Sequence, residues 1–539
     1  MLECLESLRD GPPGRGLYLY EKFDEPPEFT DYRDLAGHVA GTAGFFRAHG
    51  IGPGTRVLFP FETSVPAVFS FLALMEIGAV PLSVKPLLSS TPRASYEEFL
   101  AKVAREHHAD RVLDLPGLGA AEVPVPRLPP PPAGIRDEAA RLRIPAGEEI
   151  AFVQFSSGST SFPKGIPVRH DKLKLNLSMI IRTAERRPED RLSSWLPLYH
   201  DMGLVGGLLS CLAAGNDVLL ATPGTFLFDV PGWWEHLARE KATITVIPNF
   251  AVDYSLRLLR GADPGEIAAL DLSRVRSIYL GSEPINIVNL EAFTDLMASA
   301  GLPATAFMPC YGMAEAVLIV STRPPGRRPR IVPAPSGVPA ISVGRPMPEF
   351  TVRLRDGSGR ECAEGELGEI ELSGGSLALS YLGDPPGARL RADDGFYRTG
   401  DIGFRDDGEL FITGRISDRI KVNGQSLFAA DFEQALDRLP FVRDGRTAVV
   451  QSGDSIVVLT EVDRSARADI GGSRERIVEH LMHSVGVTVR AADVHFVRPG
   501  QLERTSSGKL RRRAIAQAYE LGRLRGPTFD NQLSATSAR

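Results

Sequence analysis

Through roughly the first 350 residues, short apolar runs alternate with longer stretches whose apolar positions recur at helical spacing. "RVLFPF" (56–61), "IAFVQF" (150–155), "DVLLAT" (217–222), "TITVIPNF" (243–250) and "RSIYLG" (276–281) are compact, β-branched and aromatic, and each predicts a buried strand. Between them, "VPGWWEHLARE" (230–240) and "PINIVNLEAFTDLMASAG" (284–301) carry the spacing of amphipathic helices. Strand–helix alternation of this kind predicts layered α/β structure with largely parallel sheets. The most apolar stretch, "VPAVFSFLALMEIGAVPLSV" (65–84), is interrupted by Glu76, Gly78 and Pro81. It predicts a buried helix, a turn and a buried strand, and no membrane span. "VPVPRLPPPPAG" (123–134) is too rich in proline for a helix or a central strand and predicts a surface connector.

After about residue 340 the pattern changes. "FTVRLRDGSGRECAEGELGEIELSG" (350–374) alternates on a period of two between glycine-rich turns, which predicts a small antiparallel barrel or sandwich. "DDGELFITGRISDRIKVNG" (406–424) predicts two strands closed by a polar turn. "ADFEQALDRL" (430–439) predicts a helix, "TAVVQSGDSIVVLTEV" (447–462) a hairpin and "SRERIVEHLMHSV" (473–485) a second helix. The expected fold class is thus α/β. It comprises a large N-terminal domain of layered sheets over 1–413, with a β-barrel-like subdomain at about 342–413, and a small, mobile α+β domain over 414–525. The segment 526–539 is expected to be a disordered tail.

Composition narrows the class only slightly. With 539 residues, two or more domains are expected. Lys+Arg 61 against Asp+Glu 67, a net charge of −6, speaks against a dedicated nucleic-acid surface. Cys4, Cys211, Cys310 and Cys362 form no CxxC pair, so neither a zinc site nor a disulfide framework is expected. A reducing, cytoplasmic setting fits, and the first residues lack the basic start and apolar stretch of a signal peptide. A monomer or weak dimer is expected.

Candidate chemistry begins with "SSGSTSFPKG" (156–165), directly after an apolar run. Backbone N–H groups, hydroxyls and one lysine suit a polyphosphate. The Walker pattern GxxxxGK[ST] is not met: Lys164 is preceded by Pro163 and followed by Gly165, which speaks against a kinase or motor of that type. Further along come, in order, "WLPLYHDMGLVGG" (195–207), "LGSEP" (280–284), "CYGMAEA" (310–316), "YRTGDIG" (397–403), "TGRISDRIKVNG" (413–424) and "RTSSGKLRR" (504–512). This ordered set, spanning about 30–520, resembles the acyl-adenylate-forming (AMP-binding) superfamily. "WLPLYHDMGLVGGLL", "ATITVIPNFAVDYSLRLL" (242–259) and "LDLSRVRSIYLGSEPINIVNLEAF" (270–293) are most similar to the fatty acyl-AMP ligases, or acyl-ACP ligases.

The resemblance implies a carboxylic acid substrate, ATP and Mg²⁺ as cofactors, and a holo acyl carrier protein as the acceptor of the activated acyl group. It places Ser156, Ser157, Gly158, Ser159, Thr160 and Lys164 on the β- and γ-phosphates, and Glu315 on Mg²⁺. Gly281, Ser282, Glu283 and Pro284 would lie along the adenine, with Tyr311, Gly312 and Met313 near the base and α-phosphate. Asp401 would accept from both ribose hydroxyls and Arg415 would donate to the ribose side. His200 would stand beside the carboxylate and α-phosphate, and Lys509 would bridge the two during adenylation. The small domain would then turn about Ser417, removing Lys509 and bringing the Gly424 loop to the thiol.

The sequence departs from the family pattern at three places. Ser417 stands where Asp or Lys is usual, Ser161 replaces a glycine, and 324–341 is shorter than the insertion that restrains the small domain in fatty acyl-AMP ligases. The short segment keeps an acyl-CoA synthetase as the alternative. Activation of an amino or β-amino acid is a further one, through Asp201. Phe228, Trp233, Asn249, Phe250, Met308 and Met313 are candidates for the acid pocket.

Overall fold

The computed structural model describes residues 1–529 except 90, 157–162, 386, 423–424, 454 and 505–508. Two parallel-rich sheets dominate the larger part. Their strands are β1 (Gly16–Tyr20), β2 (Glu28–Asp31), β3 (Arg56–Pro60), β4 (Val80–Val84), β5 (Arg111–Leu113), β6 (Arg127–Leu128) and β7 (Ile150–Phe155). They continue with β8 (Gly165–Arg169), β9 (Arg191–Ser194), β10 (Asp217–Ala221), β11 (Ile244–Pro248), β12 (Ser277–Gly281) and β13 (Phe307–Pro309). One sheet runs β13-β12-β11-β9-β10-β1-β2 and the other β6-β5-β3-β4-β7-β8. Pairing is parallel except at the edges, where β1–β2 and β7–β8 are antiparallel.

Local chemistry explains these elements. Strands β4, β10, β11 and β12 are buried at every position, as parallel strands covered on both faces must be. Helix Val65–Ile77 starts at Ser64, whose hydroxyl accepts from Ala67 N, has a proline in its first turn, and stops at Gly78 with φ 82°. Nearly all of its residues, Ser70 and Glu76 among them, are buried, so it is apolar on almost every face.

Beyond it lies a four-stranded antiparallel sheet of Phe350–Arg355, Gly368–Gly374, Tyr397–Asp406 and Glu409–Arg415. The C-terminal part has its own cores. Phe432, Leu436, Ile477 and Leu481 pack on one face of the Val442–Ser452/Ser455–Val462 hairpin, and Leu502 and Ile515 on the other.

Three expectations are corrected, and that for the connector 123–134 is refined. Residues 243–250 are not all strand: Asn249 and Phe250 already begin helix Asn249–Leu259. The two strands of 406–424 do not pair with each other. Glu409–Arg415 pairs with Tyr397–Asp406, a 3₁₀ turn at Ile416–Asp418 follows it, and Arg419–Val422 then pairs with Gln425–Phe428. The connector 123–134 contributes the edge strand β6, where a neighbouring proline removes no ladder bond. The expected tail is seated at its start. Thr528 is buried, its hydroxyl accepts from Phe496 N at 2.9 Å, and Phe529 stacks on His495. Residues 530–539 lie outside the described residues.

His236 gives the fold a pH dependence. Its ring is 1 % exposed, stacks on Trp233, and shares a 3.0 Å Nε2 hydrogen bond with Ser193 Oγ. Burial, then the charges of Arg239 and Arg191, push its pKa down to about 3. The unfolded histidine, near 6.5, takes up its proton first as pH falls, so this stability is present above about pH 6.5 and lost on acidification. Compared with His236→Gln in denaturant melts, the wild type should lose about 1 kcal/mol more per pH unit between pH 6.5 and 4.5. A gap that stays constant would refute it.

Candidate active site

Strand ends and short turns from both parts of the chain converge on one cavity of about 570 Å³. Its first wall is the β7–β8 hairpin. Ser156 N donates to the Lys164 carbonyl at 3.0 Å and Lys164 N to Ser156 Oγ at 3.3 Å, so the ends of the serine-rich loop are held together. An antiparallel hairpin, and not a strand running into a helix, is the structural reason the Walker spacing fails here. Ser157, Gly158, Ser159 and Thr160 lie outside the described residues, as does Ser161.

Lys164 and Glu315 meet through Tyr381. The Lys164 ammonium sits 4.3 Å from the Tyr381 ring centre, and the Tyr381 hydroxyl donates to Glu315 Oε1 at 3.1 Å. Leu382 N bonds the Gly165 carbonyl at 2.8 Å, fixing that tyrosine beside the hairpin. Burial first, then Glu315, pushes the Tyr381 pKa up to about 12, so it remains a donor. No motif in the sequence marks Tyr381; only the packing of its loop on Gly165 reveals it. Glu315 occupies a single 3₁₀ turn, Ala314–Ala316, after the strand pair of Tyr311–Gly312 with Ile319–Thr322. Gly312 is required there, since a Cβ would lie 1.9 Å from the Leu318 carbonyl oxygen.

Asp401 lies near the junction of the two parts. It is 5 % exposed and accepts from the Tyr311 hydroxyl at 2.7 Å on one oxygen and from Arg415 Nε at 2.7 Å on the other. Each oxygen keeps a lone pair for a further donor. Asp401 in turn raises the pKa of Arg415.

Gly281 and Ser282 end β12, with Ser282 at φ 75°, a conformation few non-glycine residues adopt. Pro284 and Met313 line the cavity as well. Glu283 lines the cavity too, and its carboxylate accepts from Phe250 N at 2.6 Å, at the N-terminus of helix Asn249–Leu259. Burial nevertheless pushes its pKa up. Cys310 Sγ donates to the Leu280 carbonyl at 3.2 Å, and burial followed by the Asp201 charge pushes its pKa up to about 12.

His200 and Asp201 cap the wide helical segment Met202–Leu209, whose π geometry is characteristic of functional sites. His200 Nδ1 is 2.7 Å from Asp201 Oδ1, which also accepts from Met202 N. Burial pushes Asp201 up, but His200 and Lys509 outweigh it, leaving its carboxyl below the ordinary range. Lys509 enters the same cavity from the C-terminal part. Its burial, then Arg415, lower its pKa, while Asp201, Glu283 and Asp401 oppose that shift. Arg512, missed from sequence, anchors the segment. Its guanidinium donates to Asp418 Oδ2 at 2.8 Å and to both Glu433 oxygens.

Of the acid-pocket candidates, Asn249 and Met313 line the cavity. Trp233 and Met308 are core residues at 0 % exposure, Phe250 contributes its backbone N–H to Glu283, and Phe228 is 94 % exposed. Among the described residues no cluster of three metal-ligating side chains occurs, and no helix is long and apolar enough to cross a membrane.

Layered α/β sheets and a cavity lined by a serine, a lysine and a buried aspartate suit an adenylate-forming ligase, and the chain belongs to the AMP-binding enzyme family. Residues 20–382 match the family model described as AMP-binding enzyme, and 417–526 match the Disco-interacting protein 2-like AMP domain.

Among its relatives is the long-chain-fatty-acid–AMP ligase FadD32 of Mycolicibacterium smegmatis, 32% identical over 71% of this chain and 70% of that one. A Caulobacter vibrioides protein named as an acyl-CoA synthetase is 33% identical over 94% of this chain and 93% of its own. A solved structure of fatty acyl-adenylate ligases from E. coli and L. pneumophila superposes with TM-score 0.87 at 26% identity, covering 96% of this chain and 97% of that chain.

Proposed function

We propose that this enzyme activates a fatty or related carboxylic acid as its acyl adenylate, releasing pyrophosphate, and passes the acyl group to the phosphopantetheine thiol of an acyl carrier protein. The observation that carries this reading is the entry of Lys509 into the cavity that holds His200, Asp201, Asp401 and Glu283. A carboxylate is a poor electrophile because its leaving group would be oxide. Attack of its oxygen on the α-phosphate of ATP turns that oxide into AMP, which a thiol then displaces. The protein's task is positioning and charge neutralisation.

In this reading Lys509 lies between the acid's carboxylate and the α-phosphate, and His200 steadies that oxygen from the opposite wall. Asp401 accepts from the ribose hydroxyls, with Arg415 beside it. Adenine lies along the backbone of Gly281, Ser282 and Pro284, flanked by Tyr311, Gly312 and Met313. Ser156 and Lys164, with Ser157, Gly158, Ser159 and Thr160, receive the departing pyrophosphate.

The donor set fits Mg²⁺: Glu315 offers a carboxylate oxygen beside the lysine, and magnesium bound with nucleotide phosphates takes one or two carboxylates and keeps its waters. When bound, the ion would neutralise the phosphate oxygens.

The chain divides in this reading at about residue 414, and the C-terminal part turns about Ser417 between the two half-reactions. Ser417 is exposed, and its hydroxyl donates to Asp418 at 2.9 Å. Arg512 ties Asp418 to the part that turns.

The acceptor is tested by incubating the enzyme with ATP, Mg²⁺ and a panel of acids, then adding CoA and a holo carrier protein in separate reactions. Carrier loading should outrun CoA thioester formation by about tenfold or more. Equal rates would favour an acyl-CoA synthetase, the activity for which the Caulobacter relative is named.

A further inference from the structure

In the ligase reading the acid's chain lies along the apolar part of the cavity lining, a sleeve of Ile180, Met202, Val246, Leu318, Ile319 and Val343. Depth is set by β12. Side chains alternate along a strand, so Gly281, at the nucleotide level, and Tyr279 face the same side, with Tyr279 about 7 Å deeper. Val246 on β11 is the register partner of Tyr279 and lines the cavity at the same level.

At that depth stand two polar groups that the adenylation chemistry does not use. Tyr279 is 7 % exposed, and its hydroxyl has no hydrogen-bond partner among the described residues. Arg186, which follows helix His170–Thr183, donates to Ser210 Oγ at 2.9 Å, while its buried Nε has no partner among them. Ser210 Oγ donates to the carbonyl of Gly206, itself part of the wall, so the guanidinium is braced against the sleeve. Burial pushes the Tyr279 pKa up and the Arg186 charge opposes it, which places the two within electrostatic reach.

A buried donor left without an acceptor costs stability. A pocket meant for a plain alkyl terminus gains nothing from a tyrosine and an arginine at its far end, where leucine or phenylalanine would pack without that cost. We propose that the preferred acid carries an oxygen at the end remote from its carboxylate, a hydroxyl, carbonyl or second carboxylate, which accepts from Arg186 Nε and hydrogen-bonds the Tyr279 hydroxyl. The inference rests on the ligase reading above and names its substrate class.

Acids of one chain length are compared: the plain alkanoic acid, its ω-hydroxy and ω-oxo analogues, and the dicarboxylic acid. Pyrophosphate release gives kcat/KM, and calorimetry gives binding without turnover. At least one oxygenated acid should exceed the plain acid by about tenfold or more, since a site built around a substrate oxygen rejects the analogue lacking it. Which analogue leads distinguishes a neutral from an anionic terminus.

Tyr279→Phe removes a hydroxyl that has no partner among the described residues, so its melting temperature should not fall. Its oxygenated-to-plain ratio should drop about tenfold. Equal kcat/KM for plain and oxygenated acids, or an unchanged ratio in Tyr279→Phe, overturns the inference and leaves the ligase reading standing. Selective binding of an oxygenated acid without pyrophosphate release keeps the inference and removes the ligase reading.

Discussion

Lys509→Ala should form acyl adenylate about 10²–10³-fold more slowly than the wild type, while transfer from supplied acyl adenylate to the acceptor thiol falls far less. The asymmetry follows from where charge develops. During attack on the α-phosphate, negative charge accumulates between the carboxylate and the phosphate, and in the proposed reading Lys509 is the residue of the C-terminal part that meets it in the cavity. In thiol transfer the charge develops on AMP as it leaves, which in the proposed reading follows the turn of the C-terminal part. Burial lowers the lysine's pKa, while Asp201, Glu283 and Asp401 oppose that shift. Acid-dependent pyrophosphate exchange reads the first step, and thioester formation from synthetic acyl adenylate the second. A folded variant that loses both equally would show that Lys509 has no separate part in adenylation.

Asp401→Asn should raise the KM for ATP by about tenfold or more and lower stability at the same time. Two losses coincide in one side chain. In the proposed reading the ribose hydroxyls lose an ionised acceptor, and Arg415 loses the anion held 2.7 Å from its Nε. Breaking a fully buried pair costs about 3–5 kcal/mol, but Arg415 is 48 % exposed, so solvent should reduce that to about 1–2 kcal/mol. Tyr311 can still donate to the asparagine oxygen, which limits the structural damage. ATP titration of pyrophosphate exchange, alongside thermal melts, separates the effects. Lowered stability with an unchanged KM would make Asp401 only a structural partner of Arg415.

Much of the layered fold was legible because parallel strands buried on both faces leave continuous apolar runs, as in β4, β7 and β10. Register and pairing partners were not. Nothing in the spacing of 406–424 says that each strand finds its neighbour outside that segment. At Asn249 and Phe250 an apolar run continues from strand into helix without a period long enough to mark the change. The site residues on glycine-rich motifs were legible as a set, since tight turns and close backbone approaches leave glycines at fixed places. The places of Tyr381, Tyr279, Arg186 and Arg512 were not, because each is fixed by packing against residues distant in sequence, even though Arg512 closes the RTSSGKLRR run. Glu283 sits on a legible motif, yet its carboxylate serves a helix N-terminus that only the folded chain brings near.

Cys310 has a bearing on self-protection. An acyl adenylate is made to react with thiols, and this cysteine lies in the chamber where it forms. With burial pushing its pKa up to about 12, the thiol stays in its unreactive protonated form at pH 7. Its S–H is also committed to the Leu280 carbonyl. The chamber thus keeps its own sulfur chemically silent, and the activated acyl group is spared for the thiol that arrives from outside.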